Sequence, residues 1–323
     1  LKGREISTTV TVNNILRSKS LHTYTVTHLQ GFVSWTRGIP RYWIKLDSAE
    51  SILYNNSGSE VGKTKAVYTY ETTYGNLLTQ TEQFWTGNMW VNHRKTENSY
   101  WFNNSSTSYL VSLVGKTKIT DSSNNTLAET LYLYDGNIGD YQTMPTNGKL
   151  TAVRSLIQNE TDYSQISYAY DNWGNQTSQT TWSGYGTWNT SPSSGARTST
   201  TVYDSVFHTY PISSTTPATP NAPLGLTTQW NYDYDNNGVD DFILGIPTKQ
   251  IDPNGNQIEV QYDAFGRITK LIRPEDSESS PTMSFSYSSA FPFTTVLVQK
   301  INASDSYTVI KKYDGIGRQF YVN

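Results

Sequence analysis

Hydrophobic and polar residues alternate with a period of two in many short segments of the chain, which is the pattern of β-strands with one apolar and one polar face. No segment carries an apolar stripe of helical spacing longer than two turns. Gly and Asn, which adopt the positive φ angles that tight hairpins need, lie between the alternating segments. The pattern therefore predicts an all-β chain of antiparallel hairpins. The clearest predicted strands are residues 5–12, 22–28, 65–74, 165–171, 257–263 and 282–288.

The composition indicates a folded, strand-rich protein. The chain of 323 residues has 24 Tyr, 9 Trp and 10 Phe, whereas disordered segments are poor in aromatic residues. Thr, Tyr, Trp and Val fit the pleated, half-buried surface of a strand. A chain of 36.4 kDa is long enough to bury a substantial core.

Charge and cysteine content exclude several classes of function. The net charge is -3 and no run of Lys or Arg exceeds two residues, so we expect no nucleic-acid partner. The absence of Cys excludes disulfides, thiolate metal sites and a cysteine nucleophile. No apolar stretch approaches the ~18 residues of a membrane span. The first ten residues lack a signal-peptide pattern, so we expect an interior piece of a longer polypeptide.

A Tyr followed by an acidic residue recurs along the chain. Where consecutive copies are regularly spaced, the gaps are about 30 to 36 residues, in the range of repeat architectures. Each copy predicts a strand, a tight turn and a second strand, and one hairpin cannot bury its apolar face alone. The hairpins should therefore pair edge to edge. The repeat tyrosines are Tyr70, Tyr134, Tyr170, Tyr203, Tyr232, Tyr262 and Tyr313.

Three copies also share a Gly, and we interpret them as structural turns rather than ligand contacts. Tyr would stack on the Tyr of a neighbouring hairpin, Asp would cap the turn, and Gly would supply a positive φ. An Arg closes two copies, at Arg267 and Arg318, and Asn175 takes its place in the third; we expect the Arg to meet a carboxylate of the adjoining hairpin. The predicted structural residues are Tyr170, Asp171, Gly174, Tyr262, Asp263, Gly266, Arg267, Tyr313, Asp314, Gly317 and Arg318.

The repeats divide the chain into two predicted regions. Residues 1–125 form a β-rich, Trp-containing region that leads into the repeats, and residues 126–323 form the repeat ribbon. The ribbon is interrupted at about 183–223 by a stretch rich in Ser, Thr, Pro and Gly. We interpret this stretch as one long surface insertion with a Pro-rich connection, and a domain boundary is the alternative.

The segment DYDNNGVDD at 233–241 is the sharpest chemical feature, because it matches the first nine positions of a calcium loop. The predicted oxygen ligands are Asp233, Asp235, Asn237, Val239 and Asp241. The twelfth position is Leu244 rather than Glu, and no EF-hand helices are evident. The segment is similar to loops of secreted β-proteins that bind calcium without that Glu. A metal-free acidic Asn-Gly turn is the alternative.

Other candidate chemistry is weak. The chain contains no nucleophile elbow, P-loop or dinucleotide fingerprint, so we expect no enzyme activity. Trp85 with Trp90, and Trp182 with Trp188, are candidate platforms for carbohydrate binding. Packing in the core or in loops is the more ordinary interpretation of these Trp residues.

Several fragments carry parts of the Tyr-Asp and Gly pattern of the repeats, at residues 63–78, 131–136, 147–157, 167–178, 202–211, 245–287 and 311–322. Together they resemble the Rhs or YD-repeat family, most like the middle region of large bacterial Rhs proteins related to the B component of insecticidal toxin complexes. The resemblance implies a ribbon of antiparallel β-hairpins that spirals into a hollow, shell-like sheet around a separate toxin or effector domain. Some relatives cleave themselves with paired DPxG motifs. Only one such motif, at 252–255, is present, so self-cleavage is not supported.

The sequence therefore predicts a structural, non-enzymatic segment of a secreted YD-repeat protein. Its partners would be other segments of the same longer polypeptide or neighbouring copies. The alternative is an adhesin or filament-like module at the cell surface that binds glycans or proteins, and distant relatives of the family, the teneurins, have an adhesive role.

Overall fold

The computed structural model describes residues 3–29, 41–137, 139, 141–157, 161–302 and 304–323. Every regular element in these ranges is a β-strand, and 21 strands form one antiparallel sheet. The prediction of an all-β, antiparallel chain is therefore confirmed. The strands are β1 (Ser7–Val12), β2 (Ile15–Leu29), β3 (Arg41–Tyr54), β4 (Glu60–Tyr70), β5 (Leu77–Trp85), β6 (Trp90–Asn104), β7 (Tyr109–Asp121), β8 (Thr126–Tyr134), β9 (Leu150–Leu156), β10 (Tyr163–Tyr170), β11 (Gln176–Trp182), β12 (Ala196–Tyr203), β13 (Pro211–Thr215), β14 (Thr227–Asn231), β15 (Lys249–Ile251), β16 (Gln257–Tyr262), β17 (Ile268–Ile272), β18 (Met283–Tyr287), β19 (Phe293–Lys300), β20 (Ser306–Tyr313) and β21 (Gln319–Val322).

The sheet is a meander, because each strand pairs with the strand that follows it. This antiparallel pairing runs from β1 to β10 and from β12 to β21. The predicted strand at 65–74 ends earlier, at Tyr70. Glu71 already begins a turn, since its backbone N–H donates to the carbonyl of Asn76 at 2.9 Å.

The meander has two sides, one where even-numbered strands end and one where odd-numbered strands end. All seven predicted repeat tyrosines lie at the last residue of an even-numbered strand or directly after it. We call this the Tyr-Asp side and the other the opposite side. The repeat in the sequence therefore has a period of two strands.

The chain divides into two compact units. Unit 1 comprises Leu1–Ser167 and Thr181–Ala196, and unit 2 comprises Tyr168–Thr180 and Arg197–Asn323. The division that the sequence suggests at residue 125 falls in the turn between β7 and β8.

The stretch at 183–223 is not one insertion, because it contains β12 and β13. These strands pair with each other through Thr200 and Thr215. Thr and Val favour strands, but the Gly, Ser and Pro around them favour turns and mask the strand signal.

The core of unit 1 lies on β8, β9 and β10. Leu131, Leu133, Ala152 and Tyr163 are buried and pack together. The hydroxyl of Tyr163 donates to a carboxylate oxygen of Glu129 at 2.7 Å. This hydrophobic cluster of unit 1 thus lies on three adjacent strands.

Arg154 of β9 is fully buried under the loop between β11 and β12. Its guanidinium donates to the side-chain oxygen of Gln165 at 2.7 Å and to the carbonyl of Trp188 at 2.8 Å. A third bond, of 3.2 Å, reaches the Ser191 hydroxyl. Burial lowers the pKa of Arg154. These bonds anchor the loop to the sheet.

The core of unit 2 is aromatic and lies in two loops on the Tyr-Asp side. The rings of Tyr210, Tyr232 and Phe242 lie 5.1 to 5.4 Å apart in pairs. Phe207 meets Phe242 edge-on at 5.8 Å. Loops, rather than a second layer of sheet or helix, therefore cover this part of the strands.

Much of the sheet surface is uncovered. The accessible surface is 20643 Å², whereas a compact monomer of this mass exposes about 13,500 Å². Most strand residues of the described chain are only half-buried. The strand faces are thus largely accessible to solvent.

Candidate functional site

The Tyr-Asp turn at Asp263 is held by one carboxylate. One Asp263 side-chain oxygen accepts the backbone N–H groups of Phe265 at 2.9 Å and Arg267 at 3.0 Å. Gly266 has a φ of 73°, which a residue with a Cβ rarely adopts. Its N–H donates to the Asp263 carbonyl at 2.9 Å. Asp263 and Gly266 therefore build the turn together.

Electrostatics favour the ionised form of this carboxylate. Desolvation raises the pKa of Asp263, but hydrogen bonds from the side chain and backbone of Arg267 outweigh it. The pKa therefore lies below its ordinary value. Because every donor comes from the same turn, this shift reflects local structure and does not indicate a reactive group.

The other two predicted copies have the same geometry. Asp171 accepts from the N–H groups of Trp173 at 2.9 Å and Asn175 at 2.8 Å. Asp314 accepts from Ile316 at 3.1 Å and Arg318 at 2.9 Å. Gly174 and Gly317 have φ angles of 94° and 83°.

The same turn occurs on the opposite side, where the sequence predicts turns but not this Asp-centred geometry. Asp252 accepts from the N–H groups of Asn254 and Asn256, both at 2.8 Å. Asp121 accepts from Ser123 and Asn125, also at 2.8 Å. The turns on both sides share one sequence pattern: an Asp, a Gly or Asn three residues later, and an Asn or Arg directly after that. The turns at Asp252 and Asp121 have this pattern without a Tyr before the Asp.

Longer loops on the Tyr-Asp side use the same device with more donors. Asp204, which is 3% exposed, accepts hydrogen bonds from five successive backbone N–H groups. Desolvation raises the pKa of Asp204, but these bonds lower it far more. The donors are residues 206–210. One carboxylate thus organises the whole loop.

The repeat tyrosines act differently from the prediction. Neither Tyr262 nor Tyr313 has an aromatic stacking partner among the residues that the structure describes. Instead, the Tyr262 hydroxyl donates to the carbonyl of Pro247 at 3.2 Å. The stacking hypothesis is wrong for these two rings; the pair Tyr210 and Tyr232 does stack, at 5.4 Å.

This hydroxyl-to-carbonyl bond recurs along both units. Each donor lies on, or directly after, an even-numbered strand, and each acceptor lies on the preceding odd-numbered strand or up to two residues before it, at 2.8 to 3.2 Å. The pairs are Tyr24 with Glu5, Tyr70 with Leu46, Tyr100 with Leu77, Tyr134 with Val114, Tyr203 with Gln176, Tyr232 with Pro211, Tyr262 with Pro247 and Tyr287 with Ile268.

The register of these bonds is constant. At β15 and β16, the terminal ladder pair is Lys249 with Glu259; Tyr262 lies three residues beyond Glu259, and Pro247 lies two residues before Lys249. The same offsets apply at the ladders that end in the pairs Ser7–Leu21, Ser48–Val67, Thr79–Glu97, Lys116–Leu131, Ser213–Gln229 and Lys270–Ser284. The hydroxyl therefore pairs a carbonyl that lies beyond the end of the ladder.

Arg267 does not meet a carboxylate of the adjoining hairpin, so that expectation is wrong. Its Nε donates to Asp263 of its own turn at 2.7 Å, because four residues of a tight turn bring the two side chains together. Its guanidinium also lies 4.2 Å from the ring centre of Tyr287, which belongs to the next hairpin. Arg267 thus links its turn to the following strand through a cation–π contact.

The acidic loop brings three of the five predicted calcium ligands together. Carboxylate oxygens of Asp233, Asp235 and Asp241 lie within 4.8 Å of one another. Asn237 lies beside them, and its side-chain amide donates to Asp235 at 2.9 Å. Val239 is 67% exposed, and its N–H donates to the Asn237 side-chain oxygen at 2.9 Å.

The carboxylates of this loop are also engaged with the backbone. Asp233 accepts from the N–H of Gly238 at 2.7 Å, and Asp241 accepts from the N–H of Tyr234 at 3.0 Å. The sequence analysis missed Asp240, which accepts from the N–H of Tyr232 at 2.6 Å. The loop borders a cavity of about 550 Å³ in unit 2. This geometry is compatible both with a cation site and with a turn that its own amides stabilise.

The candidate carbohydrate platform at Trp85 and Trp90 is packed on itself. The two rings meet edge-on at 5.4 Å and form a cross-strand pair at the end of a hairpin. Lys63 and Lys65 lie over them, each at 5.7 Å. These contacts fit the packing interpretation.

Unit 1 also has a groove of about 750 Å³ on β2 to β6. Its lining includes the small residues Ala49 and Ala66 and the aromatic residues Phe84 and His93. The Nδ1 atom of His22, another lining residue, is buried and has no hydrogen-bond partner in the described part of the chain.

These observations define a class of protein, an antiparallel β-meander in which tyrosine hydroxyls and Asp-centred turns repeat every two strands. Crystal structures of TcdB2-TccC3 and TcdB2-TccC3-Cdc42 have a similar fold. For the first, the TM-score is 0.58 at 12% identity, over 94% of this chain and 20% of that one. For the second, it is 0.59 at 11% identity, over 94% of this chain and 22% of that one.

The chain therefore spans about a fifth of the length of these two structures, and at this identity the likeness concerns the fold alone. A scan against protein-family models finds no match. A search of curated proteins finds no significant match either. Among the described residues, no helix is long and apolar enough to cross a membrane.

Proposed function

We propose that this chain is a non-enzymatic stretch of wall in a secreted YD-repeat protein, and that the wall encloses or scaffolds a toxin or effector domain of the same longer polypeptide. The observation that carries the proposal is the constant register of the tyrosine-to-carbonyl bonds between successive hairpins. Such a repeat builds an extended surface rather than a single converging site.

Two further observations support this proposal. The sheet leaves far more surface exposed than a compact protein of its mass. Its fold is similar to that of the TcdB2-TccC3 structures, and its sequence resembles Rhs proteins related to toxin-complex B components. Because of the same resemblance, we also propose that the protein is secreted.

Electron cryomicroscopy of the natural polypeptide that contains this sequence tests the proposal. We expect the strands to form part of a wall around separate internal density, and we expect a protease to leave the enclosed segment intact. A compact arrangement in which both sheet faces pack against folded domains, with no interior, would contradict an enclosing role.

A surface-binding module is the second candidate, and the groove in unit 1 is the observation that favours it. Phe84 offers an aromatic wall and Gln80 and Glu82 offer polar groups. The buried Nδ1 of His22 has no hydrogen-bond partner among the described residues and lies 3.8 Å from a carboxylate oxygen of Glu5. Glycan-array binding that is lost in Phe84→Ala and retained in Trp188→Ala would support this candidate. Absence of binding by the unaltered chain would remove it.

We also propose that the loop at 233–241 binds calcium as a structural ion, because it gathers three carboxylates within 4.8 Å. Carboxylate oxygens are the ligands that calcium prefers. Added calcium should raise the melting temperature of the unaltered chain but not that of Asp235→Ala. With a chelator present, the two proteins should have the same melting temperature. An equal response to calcium would identify a plain turn.

A further inference from the structure

The groove of unit 1 lies on one face of the sheet and is built from two rows of side chains that run across the strands. Residues directly opposite each other in an antiparallel ladder share a face, so the registers define each row. The first row consists of Ser20 of β2, Ser51 of β3, Thr64 of β4 and Phe84 of β5. Three hydroxyls on three adjacent strands therefore lead to one aromatic ring.

The second row forms the floor of the groove. It lies two residues along each strand from the first row and consists of His22, Ala49, Ala66 and Glu82. Because neighbouring strands are about 4.8 Å apart, His22 and Glu82 stand about 14 Å apart across the sheet. The two alanines between them have only methyl groups, so they leave a depression in the sheet surface.

The hydroxyls of the first row are available to a ligand. Ser51 and Thr64 are exposed. In the described part of the chain, none of the three hydroxyls makes a hydrogen bond, whereas the hydroxyls of Thr69 and Thr79, on the other face, bond to each other at 2.7 Å. A row of exposed hydroxyls without partners offers donors and acceptors at a spacing that the strands fix.

The charges at the groove are paired or point away from it. Arg94 donates to both carboxylate oxygens of Glu82, at 2.7 and 3.0 Å. Glu50 and Lys65 also border the groove, but each lies between the two rows along its strand. Since side chains alternate along a strand, theirs point to the other face. A neutral ligand rich in hydroxyls therefore fits this lining better than a charged one.

We propose that this groove binds an extended, neutral, β-linked glycan that crosses the strands from β2 to β5. Successive sugars of such a glycan are spaced almost as far apart as neighbouring strands, so each sugar meets one hydroxyl of the first row. The sugar at the β5 end stacks on the flat ring of Phe84, which is 42% exposed. The inference rests on the second candidate function above, and it names the ligand class and the orientation of the ligand in that groove.

Isothermal titration calorimetry of the full 323-residue chain with cello-oligosaccharides, which are neutral and β-linked, tests the proposal. Affinity should rise from the disaccharide to the tetrasaccharide, because the longer chain reaches more of the hydroxyls. Thr64→Val keeps the shape of the side chain but removes its hydroxyl, so it should weaken binding about three- to tenfold. Ala66→Leu fills the floor and should abolish binding.

Thr81→Val is the matched control, because it makes the same replacement on the other face of β5, and it should leave binding unchanged. The near-isosteric Thr64→Val variant tests the site even if Ala66→Leu does not fold, which circular dichroism checks. Absence of binding to cello-oligosaccharides, equal affinity for the disaccharide and the tetrasaccharide, or equal effects of Thr64→Val and Thr81→Val would each overturn the proposal.

The outcome is separable from that of the proposed functions. Binding that depends on Phe84 but selects acidic glycans or α-linked malto-oligosaccharides would overturn this inference and leave the surface-binding candidate intact. None of these measurements decides whether the sheet is a wall around a toxin domain.

Discussion

The turns at Asp263 and Asp252 have the same local bonds but lie on the two sides of the meander. In both, the Asp carboxylate accepts the N–H groups two and four residues later, and Gly follows at a positive φ. Tyr262 precedes the first Asp and Ile251 precedes the second. The residue at the tip is Phe265, 84% exposed, on the Tyr-Asp side and the polar Asn254 on the opposite side.

The comparison separates the two residues of the Tyr-Asp pair by what they do. Asp and Gly form the turn on either side, so the turn does not depend on Tyr. Tyr connects its hairpin to the preceding one, and among the described residues that connection occurs on the Tyr-Asp side alone. The predictions below test this separation, from the largest expected effect to the smallest.

Replacing Asp204 should have the largest effect, because its buried carboxylate accepts hydrogen bonds from five backbone N–H groups. Asp204→Ala should lower the free energy of unfolding by about 2 to 3 kcal/mol, since several backbone donors lose their charged partner. Chemical denaturation measures this loss. Asp121→Ala, in an exposed turn of the opposite side, is the control and should cost much less.

The same residue predicts a pH dependence. The folded state lowers the pKa of Asp204 below its ordinary value of 3.8, so its ionised form stabilises the fold above that pH. This contribution should be lost as the pH falls below 3.8 toward the lowered pKa. Asp204→Asn should unfold with a weaker dependence on acid; identical acid profiles would contradict the assignment.

Tyr134→Phe should have the next largest effect. The Tyr134 hydroxyl donates to the carbonyl of Val114 at 2.9 Å and the residue is 9% exposed. Loss of this bond should cost about 1 to 2 kcal/mol. Tyr185→Phe, at an exposed tyrosine, should cost almost nothing and is the matched control.

Burial raises the pKa of Tyr134 from 10.0 to about 12, which adds an alkaline test. The folded state favours the protonated phenol, so its contribution is complete below pH 10 and is lost as the pH rises toward 12. Stability of Tyr134→Phe should therefore fall less steeply in this range. Parallel curves for the two proteins would show that Tyr134 is not the group responsible.

Tyr262→Phe should separate the role of Tyr in connecting hairpins from the role of Asp in forming the turn. It should lower the free energy of unfolding by about 1 kcal/mol. Hydrogen exchange should become faster in β15, which lies next to the acceptor Pro247, while the amides of Phe265 and Arg267 stay protected. Asp263→Ala should give the reverse pattern. If both variants loosen the same amides, the Tyr-Asp pair acts as one unit and the separation is wrong.

Asn124→Gly should have the smallest effect. Asn124 occupies the Gly position of the Asp121 turn with a φ of 67°. Gly removes the strain of this positive φ, although its greater freedom in the unfolded chain offsets part of the gain. The net effect should raise the free energy of unfolding by about 0.5 kcal/mol. Gly255→Asn is the mirror experiment and should lower the melting temperature slightly. A loss of stability in Asn124→Gly would show that its side chain has another role.

The sequence predicts the strands and the turns well because both depend on local patterns. Period-2 alternation places β16 and β18 to within one residue, and Gly266 marks a real positive φ. The acceptor of Tyr262 is a backbone carbonyl 15 residues away, which has no signature in the sequence. Strand β13, with only five residues between Pro- and Gly-rich loops, is too short to give a clear signal.

The features of the candidate site likewise fall into those that local sequence predicts and those that it does not. Adjacent acidic residues in the loop predicted a carboxylate cluster, and Asp233, Asp235 and Asp241 do come together. The partner of Arg267 could not be predicted, because the choice between its own Asp263 and a neighbouring carboxylate depends on the path of the turn. The alignment of Tyr287 with Arg267 depends on pairing between separate hairpins.

The constant tyrosine register has a consequence for how such a protein can change in length. A duplication or deletion of two whole strands leaves every remaining tyrosine opposite an equivalent carbonyl. A change of one strand reverses the chain direction, so the tyrosines beyond it would finish at the wrong side of the sheet. Genes for proteins of this kind should therefore grow and shrink in steps of complete hairpins, with sequence drift inside each hairpin restrained mainly at Tyr, Asp and Gly.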